Sequence, residues 1–192
     1  MQHIKNIIQE SINIKQSLLQ DEKLLHAIEE ITTELTAIFQ SGGKALFCGN
    51  GGSASDAQHL AAEFSGRFYL EREPLFAEAL HVNTSFLTAV SNDYGYEEAY
   101  ARMVRAAGRK GDMLFALSTS GNSPNIIRAI DDARKIGMHI VGMTGQTGGK
   151  MKEKCDCLLN VPSVNTPRIQ EAHILLGHII CEMVEKEVFS GT

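Results

Sequence analysis

The sequence contains no tryptophan, and aromatic residues fill only 6% of its 192 positions. A surface that stacks exposed bases therefore lacks its usual material. Basic residues are in deficit, 18 Lys and Arg against 23 Asp and Glu, for a formal charge of -5. A binder of phosphate backbones needs the opposite balance, so no nucleic-acid partner is expected. No apolar run approaches the ~20 residues that cross a bilayer, so no membrane partner is expected. Residues 1–15 alternate polar and apolar side chains, unlike a signal peptide, and the expected location is cytoplasmic. Cysteines are few: Cys48, Cys155, Cys157 and Cys181. The C-x-C spacing of Cys155 and Cys157 fails the C-x-x-C patterns of zinc ribbons and thioredoxins, so four reduced packing thiols are expected.

What remains is ordinary globular material, 43% apolar and 21% charged, with enough length for one domain and a full core. Residues 2–19 and 21–40 read as amphipathic helices. In the second, Leu24, Leu25, Ile28, Ile31, Leu35, Ile38 and Phe39 recur at three- and four-residue steps before Gly42 and Gly43. Such stripes serve either core packing or a helical bundle between subunits, and periodicity does not separate the two.

Beyond residue 41 the pattern changes to short apolar runs at 45–48, 79–82, 113–117, 139–143 and 157–161. Helical stretches lie between them, at about 55–64, 85–91, 96–107, 124–136 and 166–188. Strands alternating with longer helices predict an α/β fold with a five-stranded parallel sheet, covered by helices on both faces. Ser123 with Pro124 suits a helix N-terminus, and Ser55 with Gln58 resembles a capping box.

Ligands of open parallel sheets bind at the carboxyl ends of the strands. Two polar loops fall there. Gly49-Asn50-Gly51-Gly52-Ser53 lacks both the G-x-G-x-x-G fingerprint and the G-K-[ST] ending of a P-loop. Ser118-Thr119-Ser120-Gly121-Asn122-Ser123 precedes a Pro-initiated helix, and hydroxyls beside a helix N-terminus suit a phosphate monoester. Four residues separate His59 from Glu63, which places both on one helical face. The last helix carries Gln170, Glu171, His173 and His178 among apolar residues. Long side chains from Gln170 and His178 could converge from two turns apart.

Together these segments resemble the phosphoheptose isomerases, enzymes of the SIS (sugar isomerase) domain family. The resemblance rests on the stretch from Cys48 through Glu63 with Ser65-Gly66-Arg67, on Ser91-Asn92-Asp93 and on Ser118 to Ser123. Thr144-Gly145, Gly148-Gly149-Lys150 and Arg168-Ile169-Gln170-Glu171-Ala172-His173 extend it over essentially the whole chain. It implies one SIS domain, with residues 1–41 a helical extension used in oligomerisation and 42–192 a three-layer phosphosugar core. It implies one Zn2+ per subunit on His59, Glu63, Gln170 and His178, with Glu63 and His178 as the acid/base pair. Substrate contacts fall on Asn50, Gly51, Gly52, Glu63, Asn92, Asp93, Ser118, Thr119, Ser120, Ser123 and Gln170, with Arg67 as a further candidate. His173 is left as a packing residue. Where some members carry an aspartate, this chain has Pro167.

The expected reaction converts D-sedoheptulose 7-phosphate to D-glycero-D-manno-heptose 7-phosphate through an enediolate, the first step toward lipopolysaccharide heptose. The expected assembly is a homotetramer centred on the N-terminal helices. Alternatives are a non-catalytic adaptor resembling the bacterial replication-initiator-associating protein, or an isomerase of another phosphosugar. The adaptors lack the glutamate and the second histidine of the last helix, whereas this chain has Glu63 and His178. A sugar-responsive transcription regulator would need a helix-turn-helix domain, for which the chain has no room.

Overall fold

A computed structural model describes residues 1–189. Among them, five strands form one parallel sheet in the order β2-β1-β3-β4-β5. The strands are β1 (Ala45–Gly49), β2 (Ala77–Ala79), β3 (Met113–Leu117), β4 (His139–Thr144) and β5 (Cys157–Asn160). Helices α1 (Gln2–Leu19) and α2 (Glu22–Gln40) precede the sheet, and α3 (Gly52–Ser65) follows β1. Next come α4 (Thr84–Tyr94), α5 (Ala99–Ala107), α6 (Pro124–Ile136) and α7 (Thr166–Phe189). The expected α/β class and five parallel strands are both observed.

Side chains alternate across a strand, and here both faces are covered. Phe47, Met113, Phe115 and Val141 point toward α2, α3 and α7, where they join Leu35, Leu60, Phe64 and Leu176. Leu46, Leu114 and Ile140 point the other way and pack with Tyr100, Val104, Ile126 and Ile130 of α5 and α6. Phe47 stacks on Phe115 at 4.7 Å between ring centroids. Cys48 and Cys181 are buried in these layers, and Cys155 and Cys157 are half-buried. None of the described helices is long and apolar enough to cross a membrane.

Two local expectations need correction. The second strand lies at 77–79, not 79–82: Leu80 still bonds the Phe47 carbonyl at 2.9 Å, but a turn then closes from Val82 to Ala79. No capping box forms at Ser55, because α3 begins three residues earlier, at Gly52. The amides of Ser53 and Ala54 bond the carbonyls of Asn50 and Gly51, so the chain turns straight from the loop into the helix. Ser123 does hold the N-cap position of α6, but its hydroxyl makes no cap bond. It lies 3.0 Å from the Ser118 hydroxyl.

His173 is fully buried on α7, and Nε2 donates to the Thr144 carbonyl at 3.2 Å, joining the helix to the end of β4. Burial pushes its pKa down to about 4. The unfolded chain takes up this proton near pH ~6.5 while the folded one resists it. Stability from the neutral ring is thus complete above that pH and is lost as pH falls toward about 4, by on the order of 3 kcal/mol. Urea unfolding of His173→Gln should show a flatter fall across this interval than the parent chain, and an equal slope would contradict the assignment.

Candidate active site

The strand order reverses direction between β1 and β3, and this is the switch point where open sheets bind ligands. The loops leaving those two strands are the two polar loops. A reciprocal amide pair joins them. Asn50 donates from Nδ2 to Asn125 Oδ1 at 2.9 Å, and Asn125 returns a bond to Asn50 Oδ1 at 2.8 Å. The Tyr96 hydroxyl donates to the same Asn50 oxygen at 2.9 Å. Asn50 therefore spends its carbonyl on tying loops together and keeps one N–H free for a ligand.

In the second loop the Ser118 hydroxyl is buried and stands between those of Ser120, at 3.5 Å, and Ser123, at 3.0 Å. Ser120 Oγ also accepts from the Asn122 amide at 3.1 Å. These hydroxyls converge beside the first turn of α6, whose N–H groups carry partial positive charge. Gly121 holds the turn at a φ of +65°, and a Cβ there would run into the backbone carbonyl of Gly148. Lys150 donates its amide to Asn122 Oδ1 at 3.0 Å, so the Gly148-Gly149-Lys150 segment buttresses the loop from behind.

A second constellation sits on the seam between α3 and α7. The two helices approach closely where Gly177 meets Leu60, since a Cβ on Gly177 would lie 2.5 Å from both Leu60 methyls. His59, Glu63 and His178 each present one potential ligand atom, all within 4.8 Å of one another. His59 Nε2 lies 3.0 Å from Glu63 Oε1, and the rings of His59 and His178 are 5.0 Å apart. His178 Nε2 is buried with no hydrogen-bond partner. Burial and the neighbouring His59 lower the His178 pKa, with Glu63 opposing, which favours the neutral ring that a metal requires. Two imidazoles and a carboxylate that bring one ligand atom each within 4.8 Å of one another could hold a divalent transition metal.

Gln170 lies two turns before His178 on α7. Its amide lies against Gly52, where a Cβ would sit 2.6 Å from Nε2. Eight residues on α7 and seven on α3 separate the two levels, about 10–12 Å of helix rise. Asn92 and Asp93 are exposed at the end of α4 and bond to each other at 2.9 Å. Arg67 is exposed and stands 3.8 Å from Glu71. Glu171 pairs with Arg168 and accepts from Ser11 at 2.8 Å, tying α1 to α7.

Sequence reasoning missed four residues. Asn125 and Tyr96 lock the first loop. Phe68 places its ring 5.7 Å from that of His178. Asp56 shares a helical stripe with Gly52, His59 and Glu63; burial raises its pKa, His59 opposes, and Oδ2 has no partner. Asn125 carried a signal, a polar residue in the first turn after Ser123-Pro124, and Asp56 a local one, three residues before His59; Tyr96 and Phe68 depend on contacts between distant segments.

The SIS domain family matches residues 9–145. The chain is 52% identical to a phosphoheptose isomerase of Aneurinibacillus thermoaerophilus, over 97% of this chain and 94% of that one. It is 50% identical to a phosphoheptose isomerase of Burkholderia pseudomallei, over 97% and 95%. Among solved structures it is similar to a phosphoheptose isomerase from Neisseria gonorrhoeae, with a TM-score of 0.90 at 42% identity, covering 96% of this chain and 98% of that one. A phosphoheptose isomerase from Francisella tularensis superposes with a TM-score of 0.92 at 34% identity, covering 96% and 97%.

Gly121→Ala should cost about 2–3 kcal/mol, because the left-handed turn and the rigid Gly148 carbonyl both oppose the methyl group. Urea unfolding measures this, and a loss within about 0.5 kcal/mol would mean the loop packs differently.

Proposed function

Because the chain belongs to the SIS domain family, among its phosphoheptose isomerases, we infer that it interconverts D-sedoheptulose 7-phosphate and D-glycero-D-manno-heptose 7-phosphate. It is an aldose–ketose isomerase. The observation that carries the chemistry is the meeting of Glu63 with His59 and His178 on the α3–α7 seam. A non-catalytic adaptor has no use for that trio.

The ketose carries a hydroxymethyl group at C1 and a carbonyl at C2. Glu63 takes a proton from C1 and returns it to C2. Neutral His178 moves the remaining proton from the C1 oxygen to the C2 oxygen, so that the carbonyl ends on C1. The phosphate is bound by the hydroxyls of Ser118, Ser120 and Ser123 and by the N-terminus of α6, with Thr119, Gly51 and Gly52 lining the switch point. Anchoring the far end of the substrate turns remote binding energy into alignment at C1 and C2. Asn92, Asp93 and Arg67, exposed in the single chain, are assigned to the sugar or to its entrance.

His59, Glu63 and His178 would hold one Zn2+ per subunit. Bound there, it supplies Lewis-acid polarisation of the carbonyl oxygen. Gln170, whose amide lies beside Gly52, is assigned to the sugar phosphate and to this metal as a fourth ligand. The assembly proposed is a homotetramer centred on the N-terminal helices. Support comes from the apolar side of α1, where Ile4, Ile8 and Ile12 are 58%, 55% and 41% exposed. The enzyme is placed in the cytoplasm at the start of heptose supply for lipopolysaccharide.

Purified protein incubated with sedoheptulose 7-phosphate should form the aldoheptose phosphate, and a chelator should suppress it until zinc is returned. No aldose product in the presence of metal would overturn the reading. Glu63→Gln should lower kcat by about 10²–10⁴ with sugar phosphate still bound. Ser118→Ala should instead raise KM about tenfold or more, the loss of one hydrogen bond to a charged group.

A further inference from the structure

The Glu63 carboxylate lies near the end of α3, where a helix frays unless its last carbonyls find partners. Those partners come from one side chain. Arg72 donates from its second amino group to the Glu63 carbonyl at 2.9 Å. Its first amino group donates to the carbonyls of Phe64, Gly66 and Glu73 at 2.9, 3.2 and 3.0 Å. Nε donates to Glu185 Oε1 on α7 at 2.8 Å. All three guanidinium nitrogens are occupied, and the side chains of Arg72 and Glu185 are each 2% exposed.

Glu185 is used as fully. Besides Arg72 it accepts the backbone amides of Phe68, Tyr69 and Leu70 at 2.9, 2.7 and 2.9 Å. Burial alone would raise its pKa, yet these amides and Arg72 outweigh burial and hold it below the usual range. The same bonds seat Phe68 beside His178. One ion pair therefore fixes the backbone under one acid/base residue and the ring packed against the other.

A buried ion pair is a poor device for stability, since an apolar pair of similar volume often does as well or better. An apolar pair cannot cap four carbonyls and three amides. We propose that Arg72 and Glu185 are positioning residues of the isomerase centre: they hold the end of α3 and the 66–73 loop so that Glu63 meets His59 and His178. This rests on the roles assigned above to Glu63 and His178.

Arg72→Lys keeps the charge and loses the planar fork. Glu185→Gln keeps the shape and loses the charge. Arg72→Met combined with Glu185→Leu replaces the pair by apolar groups. The experiment measures kcat, KM, thermal midpoint and, independently of activity, zinc affinity by calorimetry on the metal-free full chain. Expected are a fall in kcat of about 10–100-fold with KM within about threefold, and about tenfold weaker zinc binding. The double variant should recover neither kcat nor zinc affinity, because the same backbone groups lose their partners. Parent-like kcat and zinc affinity in any folded variant of the three overturns the proposal. An inactive parent chain would instead count against the roles of Glu63 and His178.

Discussion

Helices α3 and α7 touch along a seam whose spacing is set by two glycines. Gly177 lets α7 settle against Leu60, and Gly52 leaves room for the Gln170 amide. Both helices follow strands of one parallel sheet, so they run in the same direction with their first turns at the same sheet edge. The contacts pair Gly52 with Gln170 and Leu60 with Gly177, two levels of one interface. The upper level faces the polar loops, and the lower level assembles His59, Glu63 and His178. A larger side chain at Gly177 would push the helices apart and take His178 away from its partners.

The substrate assigned to the chain is an anion, whereas the chain is acidic overall. Positive potential comes from the N-terminus of α6, and hydrogen-bonding capacity from Ser118, Ser120 and Ser123. Such a site binds through direction more than through charge, so the backbone has to be rigid. The Asn50–Asn125 amide pair, the Tyr96 hydroxyl and the contact of Gly121 with Gly148 supply that rigidity. A similar economy governs the turn after Glu63, where Arg72 and Glu185 bond each other and cap the backbone groups around it.

Much of the architecture could be read from residue order. Uninterrupted apolar runs at 113–117 and 139–143 marked central strands because both faces are buried there, and β3 falls at Met113–Leu117. The edge strand was misplaced because its burial alternates and its apolar residues continue into a turn. Ser55 suggested a helix start, but backbone bonds among 50–54 begin the helix a turn earlier. His59 and Glu63 could be paired because helical spacing is a local property. The choice of His178 over His173 was not legible from pattern, since both lie among apolar residues on one helix. The fold separates them by surroundings: His173 is buried against Thr144, and His178 faces the seam.

Residue order by itself determined the alternation of strands and helices, the net acidic charge, the two polar loops at strand ends and the local His59–Glu63 pair. These follow from periodicity, composition and turn chemistry, all short-range properties. Tertiary structure alone decided that the Gln170 amide lies against Gly52. It also decided that Asn125 and Tyr96 are committed to Asn50, and that Arg72 and Glu185, 113 residues apart, grip the turn beneath Glu63. Each of these depends on how far one helix lies from another, a distance set by side-chain volumes at the interface that no spacing along the chain encodes.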